Sequence, residues 1–499
     1  MRRFLKNSII IVCMALFSCS PTEKDILSEP QIKAGVAKIY GKLDDPESKI
    51  TALTLQFQNP VTADENIIET KVEKDGSFYF EAPIECSTVF SSIYSSGYGG
   101  VLVELSPDKD MTVNLKLDNT EKIKVDNVSG NSLLTNQDKE NYGDVLFKYS
   151  TYRYNMSPIF KATPEEYAHF EMKMMKPRID YAMKGAKFSD AGKNFMLNEL
   201  KLFHLSGIVL PYKERTKMLF SSHEDFEDWS PQEPDIEFYT FLKSFHLNNP
   251  QYLYNSTYFE IMQCLLSAKA LNIPFISETP VEEWMKEVKA TMSELVGFDE
   301  GLFYDMLAAN SYAQQFDGLR SLSDKQKENI KSYFSGDKEE IAKILLRRNA
   351  EIIQLAAQRE PLVVNETPAV PKEKLMDAII AKYEGKVVVV DFWATWCGPC
   401  LEAMKKYRTV KSKLQGKNVV FVYITNGSSP KKLWEPIIKN IGGEHYYLNA
   451  DEWQYLMETF DFQGIPSYVI FDTQGEVSHQ FTGYPGNEEM RTMIENLLP

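Results

Sequence analysis

The chain has 499 residues, of which 43% are hydrophobic and 25% are charged. This is the composition of a globular protein, and it excludes collagen, disordered chains and polytopic membrane proteins. The net charge of −15 argues against nucleic-acid binding, because nucleic-acid-binding domains carry a basic balance or a basic stripe. At about 100–200 residues per domain, the length predicts about three domains. Of six cysteines, Cys13 and Cys19 lie in the first 20 residues. The remaining four are too few for a disulfide framework in a protein of this size, so cysteine indicates chemistry instead.

Residues 1–18 have the features of an export signal. Three basic residues, Arg2, Arg3 and Lys6, precede a short apolar run over residues 9–17. That run is too short to span a bilayer, which requires about 20 residues of helix. We therefore expect a cleaved signal peptide rather than an anchor helix.

The signal ends in Leu16-Phe17-Ser18-Cys19, which resembles the lipoprotein box of bacterial lipoproteins. The resemblance implies that the thiol of Cys19 receives a lipid and that Cys19 becomes the first residue of the mature chain. Residues 19–34 are then a polar tether. The alternative is a plain secretory signal with an incidental cysteine.

Residues 35–125 are predicted to form a β sandwich. Apolar and polar residues alternate over 51–57 and 112–117, as in half-buried strands. Residues 74–77, Lys-Asp-Gly-Ser, lie between two such runs and predict a hairpin turn. The size and spacing of the runs favour a small antiparallel sandwich. Because it holds no evident catalytic cluster, we expect an interaction or spacer module.

Residues 136–360 are predicted to form an α-helical domain, after a loop over 126–135. Helix-start signals recur, each with a capping hydroxyl three residues ahead of Glu or Gln. They begin at Thr163, Ser230, Thr279 and Ser323. The histidines of this region lack metal-ligand spacing, so we interpret them as surface or structural residues. They are His169, His204, His223 and His246.

Residues 361–499 are predicted to alternate strands and helices, as βαβ units do. The proline-rich segment 361–371 breaks the helical pattern and marks the domain boundary. The uniformly apolar run 387–390 is typical of a strand buried on both faces. It leads through Asp391 into a Cys-Gly-Pro-Cys motif at 397–400, and apolar residues at helical spacing follow.

The Cys-Gly-Pro-Cys motif lies at a strand-to-helix junction, where dithiol chemistry is favoured. The first turn of a helix offers unpaired N–H groups and the positive end of the dipole. Both stabilise a thiolate, so we expect the pKa of Cys397 to fall below the usual value of about 8.5. The two-residue spacer places Cys400 one turn inward, close enough to attack a mixed disulfide at Cys397.

Other uses of a cysteine pair fit the sequence less well. A zinc site needs about four ligands, and no second Cys or His pair completes one. A c-type haem site needs His directly after Cys400, where Leu401 stands. A purely structural disulfide remains open, although the start of a helix is an uncommon place for one.

Residues 391–400 resemble the active-site segment of thioredoxin, and residues 361–499 resemble the TlpA/ResA-type thiol–disulfide oxidoreductases. The resemblance implies a thioredoxin-like α/β fold. It implies that Cys397 is the attacking thiol and Cys400 the resolving thiol. Asp391 would be the acid that accepts the proton of the inner cysteine. We expect burial to raise the pKa of Asp391, as a base that works near neutral pH requires.

The same resemblance implies a substrate-binding surface around the outer cysteine. Trp396 matches the aromatic residue that flanks this cysteine in the family. Gly464-Ile465-Pro466 resembles the cis-proline loop, in which Pro466 faces the cysteine pair and the backbone of Ile465 pairs with substrate. Lys405 stands where many relatives have a helix-kinking proline, so we expect a straighter helix.

These features predict a lipid-anchored, periplasm-facing protein of the cell envelope, of Gram-negative type. The expected activity is disulfide exchange on protein cysteines, with a redox-active disulfide and neither a metal nor a further cofactor. The Gly-Pro spacer favours reduction, which would require a membrane dithiol as electron donor. The alternatives are an oxidase or isomerase, or a non-catalytic binding protein that senses redox state. We expect Cys86 and Cys264 to be free and buried.

Overall fold

The computed structural model describes most of the chain, and within it no helix is long and apolar enough to cross a membrane. The described residues are 27–107, 109–129, 132–221, 229–357 and 361–499. The predicted export signal, the lipidation of Cys19 and His223 lie outside these ranges.

The N-terminal region forms two four-stranded sheets, ordered β4-β1-β7-β8 and β3-β2-β5-β6 within the described residues. Alternate residues of β2 and β4 are buried, as the apolar–polar alternation predicts, and side chains of both sheets meet in one core. β1 and β7 run parallel, and the other neighbouring strands run antiparallel. The strands are β1 (Ile32–Asp44), β2 (Ala52–Gln58), β3 (Glu65–Lys71), β4 (Ser77–Cys86), β5 (Val89–Ser95), β6 (Gly99–Leu105), β7 (Met111–Leu117) and β8 (Ile123–Ser129).

Two local predictions in this region are wrong. Residues 74–77 do not close a hairpin, because β3 and β4, which they join, belong to different sheets. The alternation of side chains identifies strands but not their partners. Residues 126–129 are not a loop but the second half of β8, paired with β7 at the edge of the sheet. An edge strand can carry exposed polar residues, which obscure it in the sequence.

Helices fill the middle of the chain from Asn136 onwards, as predicted. Thr163 and Ser323 each form a reciprocal capping box. The signal at Thr279 precedes a helix that is capped by Pro280 instead. The signal at Ser230 precedes no helix, since Pro234 follows and disfavours helical backbone before it. The helices are α1 (Asn136–Thr151), α2 (Pro164–Met183), α3 (Asp190–His204), α4 (Tyr212–Phe220), α5 (Thr257–Ser267), α6 (Val281–Val296), α7 (Leu302–Ala313), α8 (Asp324–Tyr333) and α9 (Glu339–Ala357).

The sandwich and the helices share one continuous hydrophobic core. Polar contacts, one of them buried and one partly exposed, cross the same boundary. The side-chain amide of Asn310 in α7 donates to the carbonyl oxygen of Pro60 at 2.9 Å, and Arg348 in α9 pairs with Asp64 at 2.9 Å. The sandwich is therefore packed against the helices rather than held apart from them.

The C-terminal region contains a six-stranded sheet, ordered β14-β13-β10-β11-β12-β9. Every residue of β10 is buried, as its apolar run predicts. Helices cover both faces of the sheet: α11, α12, α13 and α15 lie on one face, and α10 and α14 on the other. The elements are β9 (Leu362–Val364), α10 (Leu375–Ile380), β10 (Val387–Phe392), α11 (Gly398–Lys406), α12 (Arg408–Lys413), β11 (Val419–Asn426), α13 (Lys431–Ile441), β12 (Gly443–Leu448), α14 (Ala450–Thr459), β13 (Ser467–Phe471), β14 (Val477–Thr482) and α15 (Asn487–Glu495).

Two features of this region differ from the sequence expectation. The proline-rich boundary segment contributes strand β9, which pairs in parallel with β12. The helix after the cysteines is interrupted at Tyr407, where α11 ends and α12 follows, although Lys405 replaces the expected proline. The straighter helix that we expected is therefore not observed, since a turn at Tyr407 separates α11 from α12.

We expect Asn310→Ala to destabilise the packing between helices and sandwich. Asn310 is fully buried, and its loss leaves the carbonyl of Pro60 without this partner. An unsatisfied buried group of this kind costs about 1–3 kcal/mol of unfolding free energy. Urea unfolding followed by circular dichroism measures the effect. The control is Asn127→Ala, at an exposed position of β8; equal transition midpoints for the two variants would contradict the prediction.

Candidate active site

The two cysteines of the motif are joined in a disulfide at the start of α11. Their Cα atoms lie 5.3 Å apart. Cys397 is the N-cap of the helix, and its Sγ accepts a hydrogen bond from the backbone N–H of Cys400 at 3.2 Å. Cys400 is completely buried, whereas Cys397 is 4% exposed. The outer sulfur therefore lies where unpaired helix N–H groups favour a thiolate, and the inner sulfur is shielded from solvent.

The loop before β13 lies against the outer cysteine. The peptide bond between Ile465 and Pro466 is cis, which confirms the sequence expectation. The carbonyl oxygen of Ile465 is 3.7 Å from Sγ of Cys397. The backbone N–H of Gly483 donates to the carbonyl of Pro466 at 2.8 Å and ties the loop to the end of β14. The backbone of Ile465 is thus fixed beside the reactive sulfur.

Trp396 forms an apolar surface on the other side of Cys397. Its side chain is 65% exposed, which is uncommon for so large an apolar group. The indole N–H donates to Ser428 Oγ at 3.0 Å, and the backbone N–H of Thr395 donates to Ser429 Oγ at 3.0 Å. Ser428 and Ser429, which hold this loop in place, were not identified from the sequence because they lie after a different strand.

Asp391 lies on β10, the strand that leads into the cysteine loop, and is 1% exposed. Burial raises the pKa of this carboxyl to about 8, while the hydroxyl of Tyr407 and the charge of Lys411 act in the opposite direction. The expected direction of the pKa shift is confirmed. A carboxyl with this pKa can exchange a proton near neutral pH.

Tyr407, Tyr423 and Lys411 surround Asp391 and were missed in the sequence. The hydroxyl of Tyr407 donates to Oδ2 of Asp391 at 3.3 Å. In the sequence, Tyr407 stands among apolar residues at helical spacing, and Tyr423 stands in a strand-like run. No local pattern reveals that their hydroxyl groups meet, because they come from different elements.

The remaining thiols lie in the other regions of the chain, and both are free. Cys86 is buried, as expected, but Cys264 is only half-buried, so that expectation is wrong for Cys264. Burial nevertheless raises the pKa of Cys264 to about 11, which keeps this thiol protonated at neutral pH. Among the described residues, no group of three or more His, Cys, Asp or Glu side chains is arranged to hold a metal ion.

Residues 385–477 match a family model described as thioredoxin-like. The matched range contains the buried strand, the cysteine pair and the cis-proline loop. The C-terminal region is therefore a thioredoxin-like domain, as the sequence resemblance predicted.

Several relatives of this domain are named thiol-disulfide oxidoreductases. The chain is 26% identical over 120 residues to the thiol-disulfide oxidoreductase ResA of Geobacillus kaustophilus, covering 24% of this chain and 68% of that protein. It is 25% identical over 117 residues to the thiol-disulfide oxidoreductase YkuV of Bacillus subtilis, covering 23% and 78%. A solved structure of a putative thiol-disulfide oxidoreductase from Bacteroides vulgatus is 27% identical, with a TM-score of 0.21, and covers 24% and 82%. These relatives are named thiol-disulfide oxidoreductases, and the thioredoxin-like domain of this chain is similar to them.

We expect the pKa of Asp391 to make folding stability depend on pH. The folded protein holds the Asp391 proton up to about pH 8, whereas the ordinary pKa is 3.8. Folding therefore takes up a proton between these values, and the stability contributed by protonated Asp391 is lost as pH rises through about 8. Asp391→Asn removes this loss.

The melting temperature of the oxidised Asp391→Asn variant should rise relative to that of the unmodified protein between pH 5 and pH 8, and then level off. Asp451→Asn, at an exposed position, is the control for loss of a carboxyl. A constant difference between Asp391→Asn and the unmodified protein across this range would show that Asp391 is not held protonated.

Proposed function

We propose that the protein reduces disulfide bonds of other proteins through the pair Cys397 and Cys400. The observation that carries this proposal is the position of Cys397, at a helix N-terminus and beside the cis peptide bond before Pro466. This arrangement places the sulfur of Cys397 nearer the surface, with 4% of the residue exposed, and holds Cys400 completely buried. A structural disulfide needs neither feature.

In the proposed reaction, the reduced pair passes two electrons to a substrate disulfide. The thiolate of Cys397 attacks one substrate sulfur, so an intermolecular S–S bond forms and the substrate bond breaks. The first substrate thiolate leaves and takes a proton from water. Asp391, once it has lost its own proton, takes the proton of Cys400, and the Cys400 thiolate attacks Sγ of Cys397. The Cys397–Cys400 bond forms, and the second substrate thiolate leaves and takes a proton from water.

The surface around Cys397 fits an extended polypeptide. The exposed ring of Trp396 offers apolar contact, and the backbone of Ile465 offers hydrogen-bonding groups to a substrate chain. The carbonyl oxygen of Ile465 lies 3.7 Å from Sγ of Cys397, so a substrate chain that pairs with this backbone would pass beside the sulfur. Protein thiols and disulfides are therefore the proposed substrates.

The proposed setting is the cell envelope, with the protein facing the periplasm and anchored by a lipid on Cys19. The support is the basic, apolar and Leu16-to-Cys19 pattern of the N-terminus. A reductase in that setting regenerates its dithiol from a donor, for which we propose a membrane dithiol carrier. Labelling of cells with a radioactive fatty acid tests the anchor: label should appear on the protein and disappear in Cys19→Ala.

Substitution of the two cysteines should have different effects. Cys397→Ser removes the attacking thiolate and should abolish the protein's acceleration of insulin reduction by dithiothreitol. Cys400→Ser leaves that thiolate but removes the resolving thiol, so mixed disulfides with substrate should accumulate on non-reducing gels. Cys264→Ser, at a half-buried free thiol, is the control and should retain activity. Retained activity in Cys397→Ser would overturn the assignment.

The reduction potential of the pair distinguishes the reductase from its rivals. Equilibration with glutathione or dithiothreitol buffers should give a value near or below about −250 mV, close to the −270 mV or so of thioredoxin. A value above about −180 mV would indicate an oxidase or isomerase instead. A pair at the expected potential that turns over no insulin would support a redox-sensing role.

A further inference from the structure

A chain of hydrogen-bonding groups leads away from Asp391 into the domain. The hydroxyl of Tyr407 donates to Oδ2 of Asp391 at 3.3 Å. The hydroxyls of Tyr407 and Tyr423 lie 3.0 Å apart. The ammonium group of Lys411 donates to the hydroxyl of Tyr423 at 3.1 Å. Three separate elements thus place four polar groups in one continuous series.

The series is enclosed except at its far end. Tyr407 and Tyr423 are both almost completely buried, as is Asp391. Lys411 is only half-buried and lines a cleft of about 250 Å³ between the thioredoxin-like domain and the helical region. Leu319 and Leu355 form the helical side of that cleft. The amine is held there by the ring of Phe421, with Nζ 5.0 Å from its centroid.

The other polar groups that pack around the series do not extend it. The hydroxyl of Tyr468 on β13 has no hydrogen-bond partner among the described residues. The hydroxyl of Tyr484 lies against Asn487 instead. His445 on β12 stacks on the ring of Tyr423, with centroids 4.9 Å apart, and its Nε2 contacts the carbonyl of Gly442. Among the described residues, Tyr407 is therefore the side chain that forms a hydrogen bond with Asp391.

We propose that Tyr407, Tyr423 and Lys411 form a proton relay between Asp391 and the cleft beside the helical region. This inference rests on the proposed function, in which Asp391 takes the proton of Cys400 in every turnover. A carboxyl that is sealed from solvent must release that proton before the next cycle. The relay supplies an exit at the side of the domain remote from Cys397, so proton release does not require the substrate to leave.

The proton balance of the relay is simple. Lys411 first gives a proton to water in the cleft. The O–H of protonated Asp391 then donates to the hydroxyl of Tyr407, that of Tyr407 donates to Tyr423 and that of Tyr423 to the neutral amine of Lys411. Along this reoriented series each hydroxyl accepts one proton from its neighbour nearer Asp391 and passes its own proton onward. The net result moves one proton from the carboxyl of Asp391 to the amine of Lys411, and both tyrosines end as neutral hydroxyls. No electron pair moves between the sulfurs in this step.

Two variants distinguish a proton relay from a purely electrostatic effect of the Lys411 charge on Asp391. Tyr423→Phe breaks the series but keeps the Tyr407 hydrogen bond to Asp391 and the ammonium group of Lys411. Lys411→Met removes the final acceptor. The matched controls are Tyr446→Phe, at another buried tyrosine of the same sheet, and Lys413→Met, on the same helix as Lys411.

The experiment measures insulin reduction by dithiothreitol from pH 6 to pH 9 with the full-length protein. Tyr423→Phe and Lys411→Met should each lower kcat by at least about tenfold near pH 7, as loss of a proton-transfer group does. The stoichiometric reaction of Cys397 with an aromatic disulfide should be unchanged, because it precedes the proton transfer. Imidazole should restore the rate of Lys411→Met, in which it can replace the amine in the cleft, but not that of Tyr423→Phe.

Full activity of Tyr423→Phe, whether or not Lys411→Met is slow, would overturn the relay, since charge would then act without the hydroxyl. Failure of imidazole to restore Lys411→Met would overturn it as well. Failure of the proposed function is distinguishable: the unmodified protein would then not reduce insulin, or Cys397→Ser would be as active as the unmodified protein. Both control variants should retain full activity.

Discussion

The burial of β10 on both faces is the constraint on which the active site depends. Helices cover this strand from both sides, so its side chains lie in one of two apolar layers. Asp391 is the polar exception on the strand, and its carboxyl sits in a medium that disfavours charge. The same strand directs the chain into the turn that places Cys397 at a helix N-terminus. Strand β10 therefore both positions the thiol of Cys397 and holds Asp391 in the buried environment that raises the pKa of its carboxyl.

Features that depend only on residues close together in the chain could be predicted from the sequence. The apolar run of β10, the cysteine motif and the Ile465–Pro466 bond each depend on residues close together in the chain, and the structure places them as expected. The capping boxes at Thr163 and Ser323 were predictable for the same reason. At Ser230 the capping signal starts no helix, because Pro234 follows and disfavours helical backbone before it. Residues close in the sequence can therefore also prevent a helix that a capping signal predicts.

Features that depend on distant partners could not be predicted. The segment around Gly76 has the composition of a hairpin, yet the strands on either side join different sheets. The relation of Tyr407 to Tyr423 requires the register between a helix and a strand, which no periodicity records. The shared core of the sandwich and the helices is likewise invisible in composition, because each region alone has an ordinary apolar content.

Because it contributes strand β9, the proline-rich segment is part of the sheet and not only a linker between regions. The three residues of β9 pair with the first three residues of β12 and cover backbone groups there that would otherwise form an open sheet edge. Such an edge is a template for pairing with other chains and so for aggregation. β9 itself is short and is flanked by Pro361 and Pro368, which have no N–H to offer a further strand. The segment thus ends the sheet while it joins two regions of the chain.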